Sequence, residues 1–128
     1  MPTPETLLLL RRSREFLAER FDSQVRLSEV AAEIGYSKFH YLRLFQDAYG
    51  ETPNDFVRRL RLLEAEKLIC RHSLSITEAA YQVGYESPTA FSALFAREFG
   101  CPPSVHKRVF SASGLWAVKS IPACFLVR

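Results

Sequence analysis

One stretch of this chain is written twice. Leu27 to Tyr36 aligns with Ile76 to Tyr85 through Glu29 with Glu78, Ala31 with Ala80, Gly35 with Gly84 and Tyr36 with Tyr85, each pair 49 residues apart. After the tyrosine the spacing becomes 50, matching Ser37 with Ser87, Leu44 with Leu94, Phe45 with Phe95, Gly50 with Gly100 and Pro53 with Pro103. The added residue is Glu86. An insertion within a helix would rotate its apolar stripe by about 100°, so a change of register confined to this point marks a turn between helices. The repeat predicts two copies of one unit: a short helix, a glycine-containing turn and a longer helix. That is the outline of a helix-turn-helix.

Local signals place the elements. Thr3-Pro4-Glu5 combines an N-cap, a proline at the first helical position and an early acid, which predicts a helix to about Arg20 with Leu9, Phe16, Leu17 and Phe21 on one side. The short segment Leu27 to Ile34 ends at Gly35, a residue suited to the left-handed turn position. Ser37 caps a second helix whose Tyr41, Leu44, Phe45 and Ala48 fall at i, i+3, i+4 and i+7 and which stops at Gly50. Thr52-Pro53 starts a long helix to about His72, with Phe56, Leu60, Leu63, Leu68 and Ile69 on its apolar side. Arg58, Arg59, Arg61, Glu64, Glu66, Lys67 and Arg71 are expected to form a mixed-charge solvated face. Ser75 and Glu78 read as a capping box. Ser87-Pro88 begins a helix carrying Phe91, Leu94, Phe95 and Phe99, which ends at Gly100.

Composition narrows the classes. With 48% hydrophobic and 24% charged residues over 128 positions, the chain is an ordinary globular one with material for a core. The net charge of +3 suits a polyanionic partner without requiring one. Cys70, Cys101 and Cys124 form no C-x-x-C pair, so neither a disulfide framework nor a thiolate metal site is indicated. Leu7 to Leu10 is too short for a signal-peptide core and is followed, not preceded, by Arg11 and Arg12. No run approaches the roughly 20 apolar residues that span a bilayer, so a cytoplasmic protein without a membrane partner is expected. His40, His72 and His106 lack cysteine or carboxylate neighbours at metal-ligand spacing, and neither a phosphate-binding glycine loop nor a nucleophile elbow is present. Neither an enzyme nor a cofactor is expected.

Longer patterns go further. Leu27-Ser28-x-Val30-Ala31 through Gly35-Tyr36-Ser37, then Phe45, Gly50 and Pro53, then Arg61-Leu62-x-x-Ala65-x-x-Leu68, closely resemble the DNA-binding domain of the AraC/XylS family of bacterial transcription regulators. Ile76-x-x-Ala79-Ala80-x-x-Val83-Gly84-Tyr85-x-Ser87-x-x-x-Phe91-Ser92-x-x-Phe95 and Phe99-Gly100-x-x-Pro103 are similar to that family's signature stretch. The resemblance implies an all-α fold of seven helices, a tandem helix-turn-helix in which two three-helix lobes are joined by a long linker helix. The domain is expected at 5–110, the first helix-turn-helix at 27–49, the linker at 53–72, the second at 76–99 and a tail at 111–128. It implies a monomer on double-stranded DNA, two recognition helices in successive major-groove segments of an asymmetric site about one DNA turn apart, an activator role with RNA polymerase as a further partner, and association with the nucleoid. A helical protein-interaction module that has lost DNA binding is the alternative. Larger relatives carry a ligand-sensing domain, for which 128 residues leave no room, so the chain is expected to work alone or to be part of a longer one.

Subtracting the buried stripe leaves Lys38, Phe39, Leu42, Arg43 and Gln46 on the outer face of the first recognition helix. Arg43 is the candidate for a bidentate contact to guanine; a phosphate clamp or an ion pair with Asp47 are its other roles. Phe39 and Leu42 would press on thymine methyls or sugar edges, or else cover a neighbouring helix. Lys38 and His40 fit phosphate or solvent. The second recognition helix presents Pro88, Thr89, Ala90, Ser92, Ala93 and Ala96, a face poor in donors. Many family members carry an arginine or another polar residue where this chain has Ala93. Backbone contacts are expected there, from N–H groups within Ser87–Thr89 and from Thr89 and Ser92. Arg97, His106, Lys107 and Arg108 are phosphate or solvent groups. Residues 111–128 lie outside the resemblance and read as a packed or flexible tail, or a self-association patch.

Overall fold

Hydroxyl side chains set where most of the helices begin. In the computed structural model, which describes residues 3–113, the order is α1 (Pro4–Glu19), α2 (Leu27–Glu33), α3 (Lys38–Tyr49), α4 (Pro53–Arg71), α5 (Ile76–Gln82), α6 (Pro88–Phe99) and α7 (Pro103–Ser113). No strand occurs among the described residues. Thr3 Oγ1 accepts the Thr6 N–H at 3.1 Å, Ser37 Oγ that of His40 at 3.3 Å, Ser75 Oγ that of Glu78 at 3.1 Å and Ser87 Oγ that of Ala90 at 3.2 Å. At α4 the cap is reciprocal: Thr52 Oγ1 accepts the Asp55 N–H at 3.1 Å while Asp55 Oδ2 accepts the Thr52 N–H at 3.4 Å. These bonds, with Arg58 beside it, hold the Asp55 carboxyl below its usual range. Each cap satisfies a first-turn donor that has no carbonyl partner within the helix. α2 starts on Arg26, which makes no side-chain cap, and α7 follows Pro102, whose ring offers no acceptor.

The chain divides into two compact units, the first ending at Arg61 and the second beginning at Leu62, so α4 belongs partly to each. In the first unit Leu10, Leu17, Val30, Ala31, Tyr41, Phe45 and Phe56 form the core. In the second it is Leu62, Ala65, Ile69, Ala79, Ala80, Val83, Phe91, Phe95 and Phe99. Fully burying each of these phenylalanines contributes about 2–3 kcal/mol. The two cores correspond residue by residue, and the correspondence reaches past the stretch visible in the sequence. Leu10, Ser13 and Leu17 of α1, all buried, lie 52 residues before Leu62, Ala65 and Ile69 of α4, and Phe56 lies 50 before buried His106.

This seam corrects the apolar side expected for α4. Leu63 is exposed and Leu62 is buried, because the helix packs along Leu62, Ala65 and Ile69 at i, i+3 and i+7, with a small alanine where bulk would keep the helices apart. In α1 the seam likewise runs through Leu10 and Ser13, while Leu9 and Phe21 are half-buried.

Gly35 turns the chain between α2 and α3 with φ +86°, as its counterpart Gly84 does with φ +99° between α5 and α6. A Cβ added at Gly35 would meet nothing within 4 Å, so the backbone angle alone decides what a side chain costs there. Gly35→Ala should lower the stability of the first unit by about 1 kcal/mol, seen as a shift in its urea midpoint. A loss several times larger would mean that packing, and not φ, holds the turn.

Candidate nucleic-acid interface

In the first unit the turn is closed by backbone bonds from Gly35 N to Ala32 O at 3.0 Å and from Tyr36 N to Ala31 O at 2.9 Å. Tyr36 reaches back through its hydroxyl to Thr6 Oγ1 at 3.2 Å and holds the His40 ring edge-on at 5.0 Å. The helix α3 buries Tyr41 and Phe45 and half-buries Leu44 and Ala48. Tyr41 is anchored deepest: its hydroxyl donates to Ser13 Oγ at 2.9 Å, and Ser13 Oγ donates to the Leu10 carbonyl at 2.7 Å. Burial pushes the Tyr41 phenol up from its ordinary value.

On the outside of α3 lie Lys38, Phe39, Arg43 and Gln46, all exposed, as are His40 and Asp47. Phe39, Arg43 and Gln46 follow at i, i+4 and i+7 and so share one face. Phe39 is 77% exposed, an unusual position for a phenylalanine with no work to do in water. Among the described residues no hydrogen bond or ion pair engages the Arg43 guanidinium, including from Asp47 one turn on. Leu42 differs from expectation: it is half-buried and packs on the first core, because position 42 lies at the edge of the stripe, one residue past Tyr41.

The second unit repeats the geometry with different chemistry. Gly84 N bonds Tyr81 O at 3.1 Å and Tyr85 N bonds Ala80 O at 3.0 Å, closing the same turn. Phe91, Phe95 and Phe99 are buried along α6. Outward lie Thr89 and Ala93, exposed, and Pro88 and Ser92, half-buried. The exposed Ser87 caps the helix, and Pro88 brings no N–H, so the start of α6 offers fewer donors than its backbone would suggest.

The helix-turn-helix domain family matches residues 30–108, more than half of the chain. The probable transcription factor PqrA of Proteus vulgaris is 35% identical over 80 residues, 62% of this chain and 66% of that protein. SoxS, a regulatory protein of Salmonella typhimurium, is 32% identical over 93 residues, 73% of this chain and 87% of its own length. The virulence regulon activator VirF of Yersinia enterocolitica is 31% identical over 93 residues, 73% of this chain but only 34% of VirF. The chain thus aligns with less than two thirds of PqrA and VirF. Among solved structures, the DNA-binding domain of the transcriptional factor AdpA, determined in complex with a target DNA, superposes with a TM-score of 0.75 at 25% identity, over 81% of this chain and 94% of that one. The chain belongs to the AraC/XylS family.

Within this AraC/XylS frame several polar residues stand apart from their expected roles. His106 is not a phosphate or solvent group. It is fully buried, with its ring 5.3 Å from those of both Phe95 and Phe99, because it occupies the place that Phe56 fills in the first unit. Its Nε2 lies 3.6 Å from Glu66 Oε2. Burial lowers the imidazole to about 4 from the usual 6.5 and raises the Glu66 carboxyl, so the two meet as a neutral imidazole and a carboxyl group, not as a charged pair. Lys107 Nζ donates to the Leu74 carbonyl at 3.4 Å. On α4 the solvated face is partly engaged: Arg58 pairs with Asp55 at 2.9 Å, Arg59 with Glu51 at 2.8 Å, and Arg61 donates to backbone carbonyls of Phe21 and Ser23. The last contacts join positions about 40 apart in the chain and leave no local trace in sequence; the burial of His106 did leave one, its alignment with Phe56. Among the described residues no cluster of three or more His, Cys, Asp or Glu could hold a metal ion, and no helix is long and apolar enough to cross a membrane. The expected tail falls, from residue 114 on, outside the described residues.

Proposed function

We propose that this chain is a transcription regulator that binds double-stranded DNA, with α3 as its reader of sequence. The observation that carries this reading is the outer face of α3, where an exposed Phe39 and an unengaged Arg43 guanidinium project beside Lys38 and Gln46 while the opposite face is fixed in the core. A guanidinium fork in the major groove can donate twice to guanine O6 and N7, and a phenyl ring suits a thymine methyl. Leu42 adds its exposed edge. α6 acts as a clamp: Ser87, Thr89 and Ser92, with Pro88 and Ala93 packed close, meet the phosphate backbone and carry little base discrimination. On this reading one monomer grips an asymmetric site with an AraC-type domain at 5–110, inserting its two recognition helices into successive major-groove segments. It acts as an activator on promoter DNA within the nucleoid, with RNA polymerase as its protein partner. The likeness to PqrA, a probable transcription factor, to SoxS, a regulatory protein, and to VirF, a transcriptional activator, supports it, as does AdpA's complex with DNA.

Selection of bound duplexes from a random pool tests the reading and supplies the operator. On the selected duplex, Arg43→Ala should weaken binding by about 1–2 kcal/mol and relax preference at one base pair, with little change on random duplex. Equal losses on both would reduce Arg43 to a phosphate contact. Wild-type affinity should also fall steeply with salt; no measurable binding at low salt would favour a protein-interaction module instead.

A further inference from the structure

The two short helices that open the helix-turn-helix units begin differently. α5 is capped by Ser75. The position 49 residues earlier is Arg26, and α2 has no side-chain cap. The Glu29 N–H, counterpart of the Glu78 N–H that Ser75 takes up, turns to the Arg26 carbonyl at 3.1 Å, and no side-chain oxygen fixes the start of α2. What the loop before α2 has instead is Arg61. From α4, Arg61 Nε donates to the Phe21 carbonyl and its NH2 nitrogen to the Ser23 carbonyl at 2.9 Å. Ser23 in turn donates from both its N–H and its hydroxyl to the Arg20 carbonyl, at 3.1 and 3.0 Å. One planar fork thus spans the turn that leads from α1 into α2. In the second unit Lys107 donates to the Leu74 carbonyl at 3.4 Å, and the Leu74 N–H donates to the Leu68 carbonyl at 3.1 Å.

We propose that Arg61 is a positioning residue for sequence reading: its fork on the Phe21 and Ser23 carbonyls replaces the missing cap of α2 and fixes α2 beneath the recognition helix α3. Arg61 touches no DNA in this role. It acts because α2 and α3 pack on one another and share the core residues Val30, Ala31, Tyr41 and Phe45, so a loosened start of α2 becomes a loosened platform for Arg43. Two parallel donations from one guanidinium are what arginine supplies and lysine does not. The inference rests on α3 being the reading helix.

The test uses the full chain with Arg61→Ala, Arg26→Ser and the two combined. Amide hydrogen exchange reports on residues 21–33, and affinity is measured on the selected and random duplexes. Arg61→Ala should speed exchange in 21–33 about fivefold to tenfold, leave α5 and α6 unchanged, and lower selected-duplex affinity by a similar factor beyond any loss on random duplex. Arg26→Ser installs the cap that α5 has; combined with Arg61→Ala it should recover both protection and selectivity. Failure of the combined variant to recover either would overturn the proposal. So would equal losses on both duplexes with exchange unchanged, the pattern of a direct phosphate contact. If Arg61→Ala does not fold, Arg61→Lys keeps the stem and charge but reaches one carbonyl, and should show a smaller loss of the same kind; wild-type behaviour from it overturns the fork. If the wild-type chain binds no duplex, the functional reading fails, and the exchange measurements still decide whether Arg61 holds α2.

Discussion

Lowering the pH from 7 to 5 should destabilise the second unit by about 2 kcal/mol and leave the first nearly untouched. The cause is His106. In the unfolded chain its imidazole titrates at its usual 6.5; in the folded unit burial among Phe95 and Phe99 lowers this to about 4. A depressed histidine contributes stability that is complete above 6.5 and drains away as pH falls towards 4, about 3 kcal/mol in all. Glu66 has the opposite sign. Burial raises its carboxyl, so its cost is present at neutral pH and is relieved as pH falls through its folded value, offsetting part of the loss. The first unit supplies an internal control. At the positions matching His106 and Glu66 it has Phe56 and Arg14, with the Arg14 guanidinium 4.9 Å from the Phe56 ring centre and 4.7 Å from that of Tyr49. In an NMR titration, α6 and α7 signals should be lost before those of α1 and α3, and His106→Phe, which borrows the residue of the first unit, should remove the difference. Loss of both sets in step, with His106→Phe indistinguishable from wild type, would dismiss the imidazole as the cause.

The second large effect concerns the other place where the two cores differ in polarity. Ser13→Ala should destabilise the first unit by about 2–3 kcal/mol, because the fully buried Tyr41 hydroxyl loses its acceptor. Adding Tyr41→Phe should recover most of that loss. Removing both partners removes the desolvation penalty as well, and the resulting Ala and Phe are the pair that the second unit has at Ala65 and Phe91. A double-mutant cycle by urea unfolding measures the coupling. Additive losses would show that the hydroxyl pair does not act as a unit.

The sequence foretold what is decided within a few residues. Caps at Thr3, Ser37, Thr52, Ser75 and Ser87, the turn glycines and the α3 and α6 stripes are all local chemistry, and each lies where the sequence places it. The outward face of α3 followed by subtraction, which is sound at Phe39 and Arg43 and fails only at Leu42 on the margin. Less legible were features that depend on a distant partner. Ala65 and Ser13 are too small to register in an apolar pattern, yet they mark where helices meet. Arg61 looks like one more surface cation until the carbonyls of Phe21 and Ser23 come within reach. His106 was concealed by residue type alone, since histidine is read as polar wherever it stands.

Because α4 closes the first unit with Phe56 and opens the second with Leu62, Ala65 and Ile69, the duplicated pattern overlaps itself by one helix. Each unit needs four helices, and among the described residues seven serve both. Neither can be cut out at a loop. A fragment starting at Ser75 would leave the apolar sides of α5 and α6 uncovered, and one ending at Glu51 would strip Phe56 from Phe45, so the cut that spares both cores falls inside a helix, between Arg61 and Leu62 of α4.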